Sequence, residues 1–413
     1  MLELFENYKY TVKRGNGFIT DEKRSYDSFG RLASIENDGS QSLSYEYDAR
    51  GKIARQRANG VDINFAYDEL GRLKTKTLGP ALAPISKIEY FYGADNQISA
   101  REVNGVKQDY AYDQIGQLLS VAAGGKILEQ YKYDPAGNML SKTIDGKVTT
   151  FKYNASNQLV SSTCDGKTTT YEYDAAGRMI QEGSTSYSYN FNNKVVKSGN
   201  NTYSYYASGQ IANANVNGNK EEFSWDGLAL LERSGTNYLN EPYATGGNPV
   251  LAGKDVLFND LLGTTQGVKS GDKYTATPRT AFGDVNKAFL SSKAYCVGGF
   301  TGKPYVEGLG SVFLFRNYRP ELSKWTCSDP IGYPDGYNNF AYVNNHATNC
   351  IDWQGTLEKL ATLGATGIYS NPSPSTTYAT WSECHDAALA HLNDAIANAY
   401  SKITTAANTR NMG

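Results

Sequence analysis

Two aspartates in the last quarter of the chain each open a four-residue Asp-x-x-Gly motif. The first motif is Asp329-Pro-Ile-Gly332 and the second is Asp352-Trp-Gln-Gly355. If the two carboxyl groups meet across neighbouring strands, repulsion between like charges raises one pKa and leaves one proton shared by the pair. One carboxylate can then activate water while the other protonates the carbonyl or the leaving amine, as in aspartic proteases.

The same two motifs also have a purely structural explanation. An Asp side chain accepts a hydrogen bond from the backbone two residues on, and a Gly in the left-handed region closes the turn. Motifs of this kind occur along the whole chain, as in Asp174-Ala-Ala-Gly177. From the residues alone, both turn formation and acid–base chemistry explain Asp329 and Asp352.

The elements that must position these aspartates are set by a repeat. A Tyr-Asp pair or a close variant recurs mostly every 20 or 21 residues, and eleven units cover roughly residues 20 to 233. Two tyrosines such as Tyr171 and Tyr173 project from one face of a strand, and an Asp-x-x-Gly turn follows. Between successive units lies an Asn-Gly or Asp-Gly pair, which is typical of two-residue hairpin turns. The units carry Tyr26, Tyr47, Tyr67, Tyr92, Tyr112, Tyr133, Tyr153, Tyr173, Tyr189, Tyr205 and Trp225.

Each unit therefore predicts two short strands joined by alternating types of turn. Eleven such units give about twenty antiparallel strands in one continuous meander. Because strand twist accumulates, a sheet of this length must coil rather than stay flat. The sequence predicts an all-β protein whose meander curls into a spiral shell, either partial or complete.

Composition narrows the classes of function. A formal net charge of −2 argues against nucleic acid as the partner of the shell. Five widely spaced cysteines form neither a disulfide framework nor a zinc pattern, and three histidines are too few and too scattered for a catalytic triad. We therefore expect no metal and no cofactor. The chain has no run of 18 apolar residues, and its first residues do not resemble a signal peptide, so we expect no membrane span.

The Tyr-Asp pattern resembles the YD repeats of the RHS family, found in bacterial polymorphic toxins, insecticidal toxin complexes and animal teneurins. Three later segments are similar to the RHS-associated core and follow in family order. They are "LFNDLLGTTQGVKSGD" (257–272), "TAFGDV" (280–285) and "GGFTGKPYVEGLGSVFLFRNYRPEL" (298–322). The resemblance implies a β-sheet that spirals into a hollow shell, which in the bacterial members houses a C-terminal toxin.

The resemblance also implies a self-cleavage site. RHS cores cut their own chain after the second Asp-x-x-Gly motif, using two aspartates helped by an arginine. Carried over position by position, the acids are Asp329 and Asp352, and the arginine is Arg316. The expected scissile bond lies within residues 356–369.

Some positions depart from the family pattern. The Gly-Arg-Phe that precedes the first motif is Ser323-Lys324-Trp325 here, and Trp353-Gln354 stands where Pro and a small residue are typical. None of these changes removes one of the three predicted catalytic side chains. The changes instead affect residues that would position those three side chains.

We predict four regions. They are a repeat shell at 1–234, an RHS-associated core at 235–355, a linker at 356–379 and a helical tail at 380–413. In the tail, apolar residues recur at spacings of three, four and seven, which predicts an amphipathic helix from Thr380 to about Thr404. The tail is a very small effector, the first helix of a truncated toxin, or a degenerate remnant; we favour the truncated toxin.

These expectations combine into a toxin carrier that encloses its own C-terminal cargo and frees it by a single aspartic-type self-cleavage. Its partners would be that cargo, a secretion apparatus or companion shell protein, and an immunity protein. It would leave a bacterial cell without an N-terminal signal peptide. The alternatives are a non-catalytic adhesion or carbohydrate-binding module at a cell surface, and a subunit of an insecticidal toxin complex.

Overall fold

The computed structural model describes residues 8–14, 17–37, 40–241, 247–285 and 292–360, with side chains except at 8–21 and 359–360. All of these residues belong to the first of two units of the chain, Met1–Ser370. The second unit, Asn371–Gly413, contains the predicted helical tail and lies outside the described residues. So do residues 361–370, which hold most of the predicted scissile segment.

Twenty-eight strands form one antiparallel sheet. They are β1 (Tyr8–Arg14), β2 (Gly17–Tyr26), β3 (Leu32–Asn37), β4 (Gln41–Tyr47), β5 (Ile53–Ala58), β6 (Val61–Tyr67), β7 (Leu73–Leu78), β8 (Ser86–Tyr92), β9 (Ile98–Val103), β10 (Val106–Tyr112), β11 (Leu118–Ala123), β12 (Lys126–Tyr133), β13 (Met139–Ile144), β14 (Lys147–Tyr153), β15 (Leu159–Cys164), β16 (Lys167–Tyr173), β17 (Met179–Glu182), β18 (Thr185–Tyr189), β19 (Val195–Ser198), β20 (Asn201–Tyr205), β21 (Ile211–Val216), β22 (Asn219–Asp226), β23 (Ala229–Arg233), β24 (Thr236–Glu241), β25 (Asn248–Ala252), β26 (Asp255–Asn259), β27 (Thr265–Ser270) and β28 (Lys273–Ala276).

Smaller elements follow the large sheet. They are a short helix α1 (Lys293–Val297), a four-stranded sheet of β29 (Tyr305–Val306), β30 (Gly310–Val312), β31 (Asn317–Arg319) and β32 (Lys324–Trp325), a 3-10 turn (Tyr342–Asn345), and a two-stranded sheet of β33 (Cys350–Asp352) and β34 (Glu358–Leu360). Among the residues described, no helix is long and apolar enough to cross a membrane.

The large sheet is a continuous meander in which each strand pairs with the next one along the chain. This order runs from the β1–β2 pair to the β27–β28 pair. Within the described residues, β28 does not pair back to β1, so the sheet is not closed into a barrel. The all-β meander predicted from the sequence is confirmed. It continues past residue 234, where the prediction ends the repeats.

The second tyrosine of each repeat ties its own unit to the preceding one. The Tyr133 hydroxyl donates to the carbonyl of Leu118 at 2.8 Å, and Tyr153 donates to Met139 at 2.9 Å. Tyrosine suits this position because its ring packs on the apolar face while its hydroxyl satisfies a backbone acceptor. Equivalent bonds come from Tyr47, Tyr67, Tyr92, Tyr112, Tyr189, Tyr205 and, through its indole N–H, Trp225.

A β-bulge at the same position gives the sheet its curl. The pairing register shifts between Lys132 and Tyr133 and between Lys152 and Tyr153, and an equivalent shift occurs in all eleven units. A bulge bends its strand and increases the local right-handed twist. Because every unit adds the same increment at the same end of a strand, the meander coils.

The hairpin turns have the backbone conformation that the sequence predicts. Asn59 and Gly60 have φ values of 45° and 80°, and Asp145 and Gly146 have 49° and 83°. A two-residue turn of this kind requires positive φ at both central residues, which Asn, Asp and Gly tolerate best.

The curl brings late strands of the meander over early ones. Phe258 of β26 is buried in the same apolar cluster as Leu43 of β4 and Ile63 of β6. The backbone N–H of Leu261 donates to the Tyr90 hydroxyl at 2.7 Å. Residues nearly 200 positions apart therefore share one core, which is the packing expected of a spiral shell.

The segment after β28 packs against the middle of the sheet. Val312 and Leu322 are buried in a second apolar cluster together with residues of β11 to β22. Arg319 of β31 pairs with Glu182 at 2.9 Å, and the N–H of Met179 donates to the Thr326 carbonyl at 3.0 Å. These contacts fix the small four-stranded sheet, which carries the candidate site.

Candidate functional site

Arg316 is the centre of the candidate site. It precedes β31 in a tight connection in which the N–H of Phe313 donates to the Arg316 carbonyl at 3.1 Å. Its guanidinium nitrogen Nη2 lies 2.6 Å from Asp329 Oδ2 and 3.4 Å from Asp352 Oδ2. All three residues are buried, with at most 7% of their surface exposed. One cation is therefore shared by both predicted acids.

The remaining donors of Arg316 are also engaged. Nε donates to the carbonyl of Gly355 at 2.5 Å, and Nη1 donates to the carbonyl of Asn339 at 2.8 Å. The ring of Trp325 lies 4.2 Å from the guanidinium carbon, in the geometry of a cation–π contact. Because a guanidinium offers its donors in a rigid plane, these contacts fix the orientation of the group.

Each aspartate uses its two oxygens differently. Oδ1 of Asp329 accepts the N–H of Ile331 at 2.9 Å, and Oδ1 of Asp352 accepts the N–H groups of Gln354 and Gly355 at 3.0 and 2.6 Å. These are the turn-forming bonds expected of an Asp-x-x-Gly motif. The other oxygen, Oδ2, faces Arg316 in both cases. Turn formation thus leaves one oxygen of each acid available for chemistry.

The second turn needs glycine at its end. Gly355 has a φ of 87°, and a Cβ built on it would lie 3.1 Å from the backbone nitrogen of Arg316 and 3.2 Å from Phe313 Cβ. The N–H of Phe315 donates to the carbonyl of Gln354 at 2.9 Å, which draws the turn against the arginine. The absence of a side chain allows the backbone to approach this closely.

Burial governs the charge state of the pair. Burial raises the pKa of Asp329 to about 6, against the opposing effects of Arg316 and the Ile331 N–H, and the charge of Asp352 adds to the rise. Burial also raises the pKa of Asp352, although Arg316 and the backbone N–H groups of its own turn oppose this. An acid with a raised pKa retains its proton at a pH where an exposed carboxyl group has lost it.

Two further ionisable residues lie beside the pair and were not predicted from the sequence. Burial raises the pKa of Asp335 to about 6, with the charges of Glu358 and Asp352 adding to the rise. Burial lowers the pKa of Lys303 to about 8, opposed by the charge of Asp352. Asp335 follows Asp329 by only six residues, and this short spacing was the available signal. Lys303 lies in the Gly-rich turn "GGFTGK", which was predicted only as part of the family core.

Aromatic side chains enclose the arginine. Phe313 and Tyr342 pack on Trp325 with ring centroids 5.0 and 5.6 Å away, and all three rings are buried. Phe300 and Tyr318 complete the cluster. An apolar wall lowers the local dielectric constant, so charges in the site act on one another more strongly than in water.

The three predicted site residues, Arg316, Asp329 and Asp352, are thus brought together in one buried cluster. Their contacts are compatible with acid–base chemistry, and the turn-forming role left open by the sequence is also present. The catalytic role itself stays a prediction.

The sequence matches the Teneurin YD-shell family over residues 21–122 and 101–229, which together make up just over half of the chain.

The chain belongs to the YD-shell family.

The predicted resemblance to YD repeats is confirmed by this match. No curated protein matches the sequence of this YD shell.

Solved structures are similar to the YD shell in fold. A crystal structure of TcdB2-TccC3 shares 15% sequence identity with a TM-score of 0.58, covering 84% of this chain and 22% of that one. The Photorhabdus luminescens Tc holotoxin pore shares 14% identity with a TM-score of 0.58, covering 89% and 21%. The YD shell thus spans about a fifth of the length of those chains. At these identities the similarity shows the fold alone.

Proposed function

We propose that this YD shell cuts its own chain once, directly after the turn that Asp352 opens, and so separates its C-terminal segment from the shell. The observation that supports the proposal is the position of Arg316. It contacts both carboxylates through Nη2 while Nε holds the carbonyl of Gly355. The acids, the cation and a peptide bond of the same chain therefore lie within one hydrogen-bonded group.

The chemistry follows that of a carboxylate pair. The ionised carboxylate takes a proton from water as the water oxygen attacks the peptide carbonyl carbon, and the protonated acid gives its proton to the leaving amine. Arg316 stabilises the negative charge that develops on the carbonyl oxygen. Hydrolysis adds one water across the bond, giving a new carboxyl terminus and a new amino terminus, so no metal or cofactor takes part in the balance.

The pairing of β33 with β34 supports a cut close to the second Asp-x-x-Gly turn. Asp352 pairs with Glu358 where β33 and β34 run antiparallel, so the chain between them closes into a loop beside the pair. We expect hydrolysis at one of the peptide bonds within residues 355–358. These bonds follow the second Asp-x-x-Gly motif, as the resemblance implies.

We further propose that the segment after the cut is the cargo of a toxin carrier. The similarity in fold to TcdB2-TccC3 supports this, since one such structure is described as lacking a hypervariable C-terminal region. We also propose that the carrier is exported from a bacterial cell. Its partners would be a secretion apparatus and an immunity protein. Cleavage would remove the covalent link between the shell and this segment.

A second candidate function is supported by a different observation. A structure similar in fold is named for two proteins, TcdB2 and TccC3, and this YD shell spans about a fifth of that chain. The chain could therefore be one part of a container that a companion protein completes. Stable co-purification with a larger YD-repeat protein would support this candidate, and a monomer that retains its segment without any companion would contradict it.

Intact-mass spectrometry of the purified, denatured chain tests the cleavage proposal. We expect two species whose masses sum to that of the 45.2 kDa chain plus one water. Sequencing from the new amino terminus should place the cut within residues 355–358. A single species at 45.2 kDa would contradict self-cleavage, and a cut far from this loop would contradict the assigned site.

A further inference from the structure

Three side chains of different chemistry converge beside the turn of Asp352. His346 follows the 3-10 turn, Cys350 begins β33 and Glu358 begins β34. One imidazole nitrogen, the thiol sulfur and one carboxylate oxygen all lie within 4.8 Å of one another. Nδ1 of His346 is 3.7 Å from Oε1 of Glu358. None of the three belongs to the Asp329–Asp352 pair.

The imidazole is held in the orientation that a metal ligand needs. Its other nitrogen, Nε2, lies 3.0 Å from the carbonyl oxygen of Ile115, in the turn between β10 and β11. A carbonyl oxygen only accepts hydrogen bonds, so Nε2 carries the hydrogen and the Nδ1 of the neutral ring keeps its lone pair. A hydrogen bond from the second ring nitrogen to a backbone carbonyl is the usual support of a metal-bound histidine.

Among the described residues, one carboxylate oxygen of Glu358 has no hydrogen-bond partner. Oε2 is shielded from solvent and has no hydrogen-bond partner among the residues that the structure describes. A buried acceptor left unsatisfied is unfavourable, and most such groups in proteins find a donor or an ion. An ion pair between His346 and Glu358 through Oε1 does not account for this oxygen. A cation between the three side chains would satisfy it.

We propose that His346, Cys350 and Glu358 form a Zn²⁺ site. A mixed set of nitrogen, sulfur and oxygen donors suits zinc, whereas Mg²⁺ and Ca²⁺ prefer oxygen alone. Tetrahedral zinc with bonds of about 2.0 to 2.3 Å holds its ligands about 3.3 to 3.8 Å apart. The distance of 3.7 Å from His346 Nδ1 to Glu358 Oε1 falls in this range, and the sulfur of Cys350 lies within 4.8 Å of both ligand atoms. One thiolate, one carboxylate and one neutral imidazole give a neutral site with Zn²⁺, and water fills the fourth position.

The binding step balances as a simple exchange. Zn²⁺ takes up the thiolate of Cys350, and the thiol proton passes to solvent. The spacing of the three ligands in the sequence matches no familiar zinc motif, so no metal was predicted from the sequence. The site becomes visible only in the folded chain, where the Ile115 carbonyl lies beside the imidazole of His346 and orients it.

The location of the proposed zinc site suits it to hold β33 and β34 together. His346 and Cys350 precede residues 355–358, whereas Glu358 lies at their end. Bound zinc would link β34 to β33 beside this loop. This site does not depend on self-cleavage, since its three ligands are present in the uncut chain.

Calorimetric titration with Zn²⁺ alone tests the proposal. The full-length Asp329→Asn chain keeps all three ligands on one polypeptide whether or not the wild type cuts itself. We expect about one Zn²⁺ bound per chain with release of about one proton. Loss of a residue that only hydrogen-bonds a metal ligand weakens binding by roughly 10- to 100-fold. Cys350→Ser and Glu358→Gln should each weaken Zn²⁺ binding by more than this.

Matched controls separate this site from other thiols. Cys164→Ser and Cys296→Ser remove a half-buried and an exposed cysteine elsewhere and should leave zinc affinity unchanged. Co²⁺ loaded in place of Zn²⁺ should show a thiolate-to-cobalt charge-transfer band that Cys350→Ser abolishes and Cys164→Ser retains. Circular dichroism checks that each variant is folded. Absence of stoichiometric Zn²⁺ binding would overturn the proposal. So would a Zn²⁺ affinity of Cys350→Ser or Glu358→Gln equal to that of the chain with all three ligands.

Discussion

The same four-residue turn is found in two very different settings in this molecule. In the repeats, Asp174 accepts the N–H groups of Ala176 and Arg178 and pairs with the Arg178 side chain at 2.6 Å, with 22% of its side chain exposed. In the core, Asp352 makes the same turn with 3% of its side chain exposed and faces Arg316, which is 36 residues away in sequence. Local geometry does not distinguish the two aspartates.

Their electrostatics do. Desolvation acts to raise the pKa of Asp174, but the hydrogen bonds and charge of Arg178 outweigh it and lower the pKa. Burial outweighs the same kinds of interaction at Asp352, so its pKa is raised. Arg178 pairs with one acid, Asp174, whereas Arg316 is shared by two. The motif therefore makes a turn in both settings, and in the core two such turns bring their carboxyl groups to one buried cation.

Removing the shared arginine should have the largest effect on stability. Arg316→Ala leaves two buried carboxylates without their cation, which should lower the free energy of unfolding by about 3–5 kcal/mol. Arg178→Ala removes an ion pair at the surface of the repeats and should cost about 0–1 kcal/mol. Urea unfolding of both variants measures the difference, and equal losses would show that the two settings are energetically alike.

The pH dependence of stability should have opposite signs in the two settings. Asp329 faces Arg316, Asp352 and Asp335, and its pKa is raised to about 6 from an ordinary value of 3.8. The folded state therefore binds a proton before the unfolded state does as pH falls from about 6 to 4. Over this range, protonation of Asp329 should raise the free energy of unfolding by as much as about 3 kcal/mol, and Asp329→Asn should remove that increase.

The pKa of Asp174 is lowered, so its contribution is present above the ordinary value and is lost as pH falls through the folded pKa. Asp174→Asn should therefore lower the free energy of unfolding at neutral pH, and this loss should become smaller as the pH falls. Unfolding curves of the wild type and both variants between pH 7 and pH 3 compare the two slopes. Slopes of the same sign at the two sites would contradict the comparison.

Stability in the repeats should be distributed over many equivalent bonds. Tyr153→Phe removes one hydroxyl and leaves the Met139 carbonyl without that donor, which should cost about 1 kcal/mol. Tyr337 is 92% exposed, so Tyr337→Phe is a matched control that should change the free energy of unfolding very little. If Tyr153→Phe were as harmful as Arg316→Ala, the repeat tyrosine would have a role beyond this bond.

Exchanging the turn residue within the repeats should have the smallest effect. Asn154 and Asn190 already form the same turn in this chain, each accepting the N–H groups two and four residues on. Asp48→Asn should therefore change the free energy of unfolding by about 0.5 kcal/mol or less. Thermal unfolding measures this, and a loss of several kcal/mol would show that the repeat turns depend on charge.

The sequence predicted the features that depend on neighbours along the chain. The Tyr-Asp spacing predicted the meander and its turns because strand and turn preferences are local. Arg316, Asp329 and Asp352 were found through family motifs, and the structure places them together. The position of Lys303 beside the pair, and the contact of His346 with the Ile115 carbonyl, could not be predicted. They depend on how residues far apart in the chain are brought together, which is the combined effect of many strands and bulges rather than a property of any one segment.

The most direct test compares one acid from each setting in the same assay. Intact-mass spectrometry would be run on the denatured wild type, on Asp352→Asn and on Asp174→Asn. Each substitution retains a side-chain oxygen that can form the turn. We predict two species for the wild type and for Asp174→Asn, and a single 45.2 kDa species for Asp352→Asn. A cut Asp352→Asn chain, or a wild type that stays whole, would contradict the assignment of chemistry to the buried pair.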